Sequence, residues 1–458
     1  MKVALSPRFG WGLLALYAAC LVLALILGAQ EPLFYAARPH DAQGIDFFCV
    51  PKAYLNLWAG QSAFDTWSSP AFGPQATWFV LHPAVAVTLG GYFAWLPPWW
   101  SYAAFVALTM GLFAGVAALF ARHARSPWHE VWVWGAAFAS PLTLVLLNCG
   151  NIHGLVVMAV ALTLVGILEL DQVRTETPSV RPRYLLSPAV KVAAGLSLSL
   201  FTKPVLVLLV PSLLIVRRTR RATTVALFVY GVTSLLFLLL PTLNPEGVGA
   251  RRVLELLMAP EWVREHLNIY KNGFQLTPEM RDNAMHWLHM IAQSGYGWDH
   301  LQVLSLPSLW QGLTRTQKGF QWLALLPIFL SPALFIPDER EQVRKLAWLT
   351  ILTLASHFLA YAIAWEYQYT QLLPVTAFLL VWQTEGQASL RRWLLILLLS
   401  YYLPSPYFLH SSEPVGLVGR TAIRAFRVVP ALFLAGGAAV MVLRRRRSVG
   451  LSDAQAAG

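Results

Sequence analysis

The stretch VKVAAGLSLSLFTKPVLVLLVPSLLIV, residues 190–216, decides how this chain is arranged. It is apolar almost throughout, and a membrane span needs roughly 20 such residues to bridge a hydrocarbon core of about 30 Å. As one helix, its 27 residues would rise about 40 Å. Lys203-Pro204 falls in the middle of it. A lysine in hydrocarbon costs several kcal/mol unless it reaches water or a partner, and proline breaks a helix interior. The stretch therefore reads either as one span or as two short, tilted helices turning at Lys203-Pro204. The choice sets the side of the membrane on which every later loop lies.

Apolar blocks also recur on both sides of this stretch. They occupy 11–29, 102–121, 131–148, 153–169, 222–241, 321–337, 346–364, 367–383, 392–410 and 428–443, with a more broken stretch at 78–97. Of 458 residues, 57% are hydrophobic and 12% charged, about half the charged share of an ordinary globular domain. Only a helix satisfies every backbone group within a span of this kind when no strand partners surround it. The expected fold is thus an all-α membrane protein, a polytopic bundle of about 12 transmembrane helices with interfacial helices on its outer face. Residues 1–443 form one transmembrane domain and 444–458 a basic cytoplasmic tail. No tandem repeat or two-half symmetry of the kind found in many transporters is present.

The net charge of +12 would point to nucleic acid if the basic residues formed a patch. Instead they sit between apolar blocks: Lys2 and Arg8, Arg122 and Arg125, the 174–191 group, Arg217 to Arg221, Arg340 to Lys345, Arg391 and Arg392, and the run Arg444 to Arg447. Such punctuation is the positive-inside signal, and no nucleic-acid partner is expected. If 78–97 crosses and 190–216 is a single span, Arg122, Arg125 and the 174–191 loop fall outside. If 78–97 lies at the outer interface and 190–216 is a turning pair, every basic loop falls inside. His82-Pro83 and Leu96-Pro97-Pro98-Trp99-Trp100 bracket 78–97 with helix breakers and interface-loving tryptophans, which agrees. The expected topology then has both termini cytoplasmic and two large outer loops, 30–101 and 242–320. Tight outer turns fall at 148–153, Lys203 and 365–367, with a further outer segment at 411–427. The first block reads as an uncleaved signal anchor.

Four outer segments carry polar groups. Asp46 begins a stretch in which Phe47, Pro51, Tyr54, Leu55 and Trp58 recur at helical spacing, so an amphipathic helix lies on the membrane with Asp46 at its start. A helix cap is the simpler reading of that carboxylate. In Asn148-Cys149-Gly150-Asn151-Ile152-His153-Gly154, glycines permit close backbone approach while Asn151 and His153 offer hydrogen bonds to a phosphate or a sugar hydroxyl. The plain alternative is a helix-hairpin turn. Lys203 offers a cation for a lipid-linked phosphate, against a lysine that merely snorkels. Trp365-Glu366-Tyr367-Gln368-Tyr369-Thr370-Gln371 combines aromatic faces with amides and a carboxylate, as carbohydrate sites do, although an aromatic belt explains the rings alone. Asp299, His286, His289 and His300 have no metal-ligand spacing and read as solvated loop residues. Nor do Cys20, Cys49 and Cys149; a disulfide between Cys49 and Cys149 is an open reading.

Taken in order, an outer-loop Asp with an aromatic helix ending in Gly60, a His-Pro step at His82, Gly150-Asn151-Ile152-His153 between two helices, Phe201-Thr202-Lys203-Pro204, and the Trp365–Gln371 knot followed by Leu372-Leu373-Pro374 form a series. This series resembles the GT-C superfamily of polytopic glycosyltransferases, and within it glycosyltransferase family 87, over roughly residues 10–385. The resemblance implies transfer of a mannose or arabinofuranose class sugar from a polyprenyl-phosphate donor to a lipid or glycan acceptor. Transfer would occur on the extracytoplasmic face of a bacterial plasma membrane, inverting the anomeric centre in one displacement. Asp46 matches the catalytic base. Lys203, His153 and Asn151 then hold the donor phosphate, and Glu366, Tyr367 and Gln368 the acceptor or sugar. The family more often has Gly-Gln-x-Asn at 150–153, a departure here. Phe47 after Asp46 removes the paired acidic motif of many GT-C enzymes, so a metal requirement is unsupported; no metal ligands are assigned and no cofactor is expected. Besides donor and acceptor, the partners are membrane lipids. A lipid-linked-sugar flippase or a non-catalytic scaffold are the rivals; an enzyme requires Asp46, His153, Lys203 and Glu366 to converge.

Overall fold

A computed structural model describes residues 6–27, 43–59, 81–172, 186–239, 321–360, 366–382, 388–403 and 417–444, with scattered positions between 63 and 79. The 242–320 loop with Asp299, His286, His289 and His300, most of the 174–191 loop, Trp365, the Glu366 side chain and the tail beyond Arg444 lie outside the described residues. Among the described residues there are helices and no strands.

In chain order the helices are α1 (Pro7–Ile26), α2 (Cys49–Trp58), α3 (Pro83–Ala94, with a π turn at Ala86–Gly90), α4 (Pro98–Ala121), α5 (Pro127–Phe138), α6 (Pro141–Cys149), α7 (His153–Gln172) and α8 (Pro188–Phe201). A 3-10 turn, Val207–Leu209, leads into α9 (Val210–Ile215), followed by α10 (Arg217–Leu239). Next come α11 (Leu326–Leu330) between two 3-10 turns, α12 (Glu339–Ala360), the 3-10 turn Glu366–Leu372 leading into α13 (Leu373–Val381), α14 (Ala388–Leu398) and α15 (Leu417–Leu443). Serine before proline starts several of them. Ser126, Ser140 and Ser187 each accept a backbone N–H of the first turn, and Pro at the first helical position gives up nothing, since its N–H would lack a partner there.

Among the described residues, five helical stretches are long and apolar enough to cross a bilayer: Pro7–Ile26, Pro98–Ala121, Pro127–Cys149, His153–Gln172 and Ala425–Leu443. The chain is a membrane protein whose described residues form helices and no strands. The 190–216 stretch is not one helix. It breaks between Phe201 and Val207, and the break is held together by Ser199, whose hydroxyl donates to the Lys203 carbonyl at 2.9 Å and accepts from Leu206 N at 3.2 Å. Likewise α3 has 12 residues, a rise of about 18 Å that cannot cross a core of about 30 Å. It packs along α2 and leaves Tyr92 and Trp95 exposed, beside Trp99 and Trp100 at the start of α4.

Helix termini meet in two groups. In the first, the C-terminal end of α7 supplies Glu169 and Asp171. Lys191 of α8 bonds Glu169, and His123 after α4 lies 3.7 Å from it. Arg340 and Arg344 of α12 both reach Asp171 Oδ1 at 3.3 Å, while Trp382 Nε1 donates to Oδ2 at 3.2 Å. Arg218 of α10 spans the Leu170 carbonyl at 2.9 Å and Glu339 at 3.2 Å. Lys191, Arg218, Arg340 and Arg344, basic residues that the sequence leaves between apolar blocks, thus share one end of the bundle. The second group lies at the far end of α7 and α10, about 25 Å away along each helix. There His82 Nε2 meets Ser234 Oγ of α10 at 3.0 Å, with its ring against Phe201 and Tyr230.

Candidate functional site

At that second end, α6 stops at Cys149 with carbonyls that no later turn can satisfy. Tyr102 OH donates to Leu147 O at 2.6 Å and to Asn148 O at 3.0 Å. The turn at 43–48 caps the rest: Gly44 N reaches Asn148 O at 2.7 Å and Asp46 N reaches Cys149 O at 2.9 Å. Two left-handed glycines make this docking close, Gly44 at φ 73° and Gly150 at φ 65°. A Cβ on Gly150 would stand 2.6 Å from Phe47 Cβ, so no larger residue fits. Phe47 is fully buried among Phe48, Phe93, Tyr102 and Phe105. Gripped from both neighbours, Asp46 is held over the start of α7.

Asn151 joins everything the sequence singles out there. Its Nδ2 donates to Asp46 Oδ2 at 2.7 Å and to Tyr367 OH at 3.0 Å. Its Oδ1 accepts from His153 N at 3.1 Å, lies 2.9 Å from His153 Nδ1 and 3.5 Å from Lys203 Nζ. Lys203 Nζ also stands 3.2 Å from His153 Nδ1, and 6.0 Å from the centre of the Tyr367 ring. No direct ion pair links Asp46 to Lys203; the amide stands between them. Burial lowers the pKa of Lys203, in the turn between α8 and α9, to about 8, with Asp46 and then Cys49 opposing the shift.

No protein-family model, curated protein or solved structure matches the chain.

Five of the seven residues singled out in the sequence, Asp46, Asn151, His153, Lys203 and Tyr367, form this one cluster. Glu366 opens the same 3-10 turn as Tyr367, with its side chain outside the described residues. Gln368 is buried on that turn, and its Oε1 has no hydrogen-bond partner among the described residues. Asp46 is not a helix cap: α2 begins three residues later, and Phe48 at its cap position makes no side-chain bond. Asn151, in contrast, does cap α7, so the hairpin-turn reading and the binding reading of 148–154 both describe it. No disulfide joins Cys20, Cys49 or Cys149, and the Cys49 thiol donates to the Asp46 carbonyl at 3.0 Å instead of bridging to Cys149. Among the described residues no group of three His, Cys, Asp or Glu is placed to hold a metal.

Tyr102, Gly44 and Cys49 as supports of Asp46 escape a reading of the sequence. Cys49 alone has a signal, at three residues from Asp46 before a helix; Tyr102 lies in an apolar helix where any ring reads as packing.

The arrangement offers a carboxylate and a cation, both partly enclosed, separated by one amide that fixes their spacing. A carboxylate so held can take a proton from an alcohol, and a cation across a short gap can neutralise an anionic leaving group.

Proposed function

We propose that this protein is a membrane glycosyltransferase of the GT-C type, moving a mannose or arabinofuranose class sugar from a polyprenyl-phosphate donor to a lipid or glycan acceptor on the extracytoplasmic face. The observation that carries this reading is the Asp46–Asn151–Lys203 series at the end of the bundle opposite the basic loops. A bundle of about twelve crossings is part of this reading; besides the five long apolar helices, α8 leads from Lys191 toward Lys203, α10 from Arg218 to Ser234, and α12 from Arg344 to Phe358, which stacks on Tyr369.

Asp46 removes the proton of an acceptor hydroxyl, whose oxygen attacks the anomeric carbon as the bond from that carbon to the phosphate oxygen breaks. Polyprenyl phosphate leaves with the bonding pair, and Lys203, with His153 beside it, neutralises the charge. Phosphate is a fair leaving group, so positioning and charge neutralisation provide most of the acceleration. Asn151 is a positioning residue, aligning base and cation at one distance. Glu366, Tyr367 and Gln368 border the sugar.

Purified protein, labelled polyprenyl-phosphate mannose or arabinose, and candidate lipid acceptors provide the test. Transfer of label to acceptor is the expected result. Movement of the intact labelled lipid across vesicles, with no new glycoside, would identify a flippase instead.

A further inference from the structure

The 3-10 turn Glu366–Leu372 has three residues per turn, so its side chains fall in three columns. Tyr367 belongs to the column that meets Asn151. Tyr369 belongs to the next, stacked on Phe358 of α12 at 4.0 Å between ring centres. Gln368 and Gln371 make the third, about 6 Å apart along the axis, and its amides are unsatisfied. Gln371 is fully buried, with neither Oε1 nor Nε2 hydrogen-bonded among the described residues; Gln368, 4% exposed, has an unbonded Oε1.

Buried amides in folded proteins are nearly always bonded, and a pair left open within one turn asks for a partner that the fold does not supply. Leucine would fill the same space without the penalty. We propose that Gln368 and Gln371 are the face that reads the hydroxyls of the transferred sugar, an inference that rests on the glycosyl-transfer reading. Each amide presents a donor beside an acceptor, which matches a hydroxyl that both gives and takes a hydrogen bond. Gln368 directly follows Tyr367, which is held in the Asn151 cluster, so the turn that carries both amides is anchored at the Asp46–Lys203 gap. These amides are closed off from solvent, and the turn must shift to admit a ligand. A 3-10 run of seven residues is longer than its strained hydrogen bonds usually sustain, which makes such a shift easy.

Two measurements on purified Gln371→Leu and Gln368→Leu variants test this: thermal midpoint, and binding of polyprenyl phosphate with and without mannose. The leucine variants should melt higher than the parent, because a buried group without a partner is removed. They should bind bare polyprenyl phosphate as the parent does, and lose about tenfold of the additional affinity that the sugar confers. A lower melting point would overturn the proposal, since it means that the amides are bonded within the fold or to a buried water. An unchanged sugar increment, or no increment in the parent, would overturn it while leaving the phosphate site standing. Should the parent fail to bind bare polyprenyl phosphate, the Lys203 reading falls first and this one with it.

Discussion

At the basic end of the bundle, carboxylates touch their cations directly: Asp171 takes two arginines and an indole N–H, Glu169 takes Lys191. At the opposite end Asp46 and Lys203 are kept apart by Asn151. The two ends bury similar groups for different purposes. Direct pairing cancels charge and locks helix termini, and once formed it leaves little for a ligand to gain. Separation by an amide sets the carboxylate and the ammonium on either side of one group, at the expense of Lys203 being partly desolvated. Buried ion pairs are weak sources of net stability but strong sources of damage when half is removed, whereas a held-apart pair is a place where an alcohol and a phosphate can be received.

Substitutions at the two ends should therefore fail differently. Asp46→Asn should lower sugar transfer by about 10³-fold, near 4 kcal/mol in the barrier, with donor binding and thermal midpoint close to the parent. Substantial remaining turnover would refute the base. Asp171→Ala should do the reverse, destabilising the fold by about 3 kcal/mol because Arg344 is left buried without its partner, while the affinity for polyprenyl phosphate in folded protein is unchanged. If binding fell as much as stability, the two ends would not be separate devices. Gly150→Ala should cost about 2 kcal/mol of stability, from the left-handed backbone and the contact with Phe47, and should also lower transfer by displacing Asp46; unfolding and transfer assays on one preparation check both.

The smallest effect concerns protonation. With a pKa lowered to about 8, Lys203 carries charge below that pH and loses it above, while a phosphodiester keeps its single charge throughout. Donor binding should weaken as pH rises through about 8, and Lys203→Arg should remove that fall, since guanidinium stays charged. A flat profile in the parent from pH 7 to 9 would place the phosphate elsewhere.

Much of this architecture was legible in the chain. Apolar blocks and the basic residues between them announce helices with a common basic end, because burying a charge in hydrocarbon is expensive enough to leave a mark on composition. Lys203-Pro204 announces a turn for the same reason. The site was legible only as separate polar marks. Asp46 could also be read as a helix cap, and Asn151 as part of a hairpin, since each of those local roles uses the same atoms.

Sequence alone therefore determined the helical, membrane-embedded class and the gathering of basic residues at one end of the bundle, since both follow from transfer energies that each residue carries with it. Which polar groups meet was decided by the fold. Asp46 and Asn151 are separated by 105 positions and Asn151 and Tyr367 by 216, and no local periodicity encodes contacts over such distances. They depend on the unfilled carbonyls at the end of α6 and on two glycines whose backbones close on each other, and those exist only once the helices have packed.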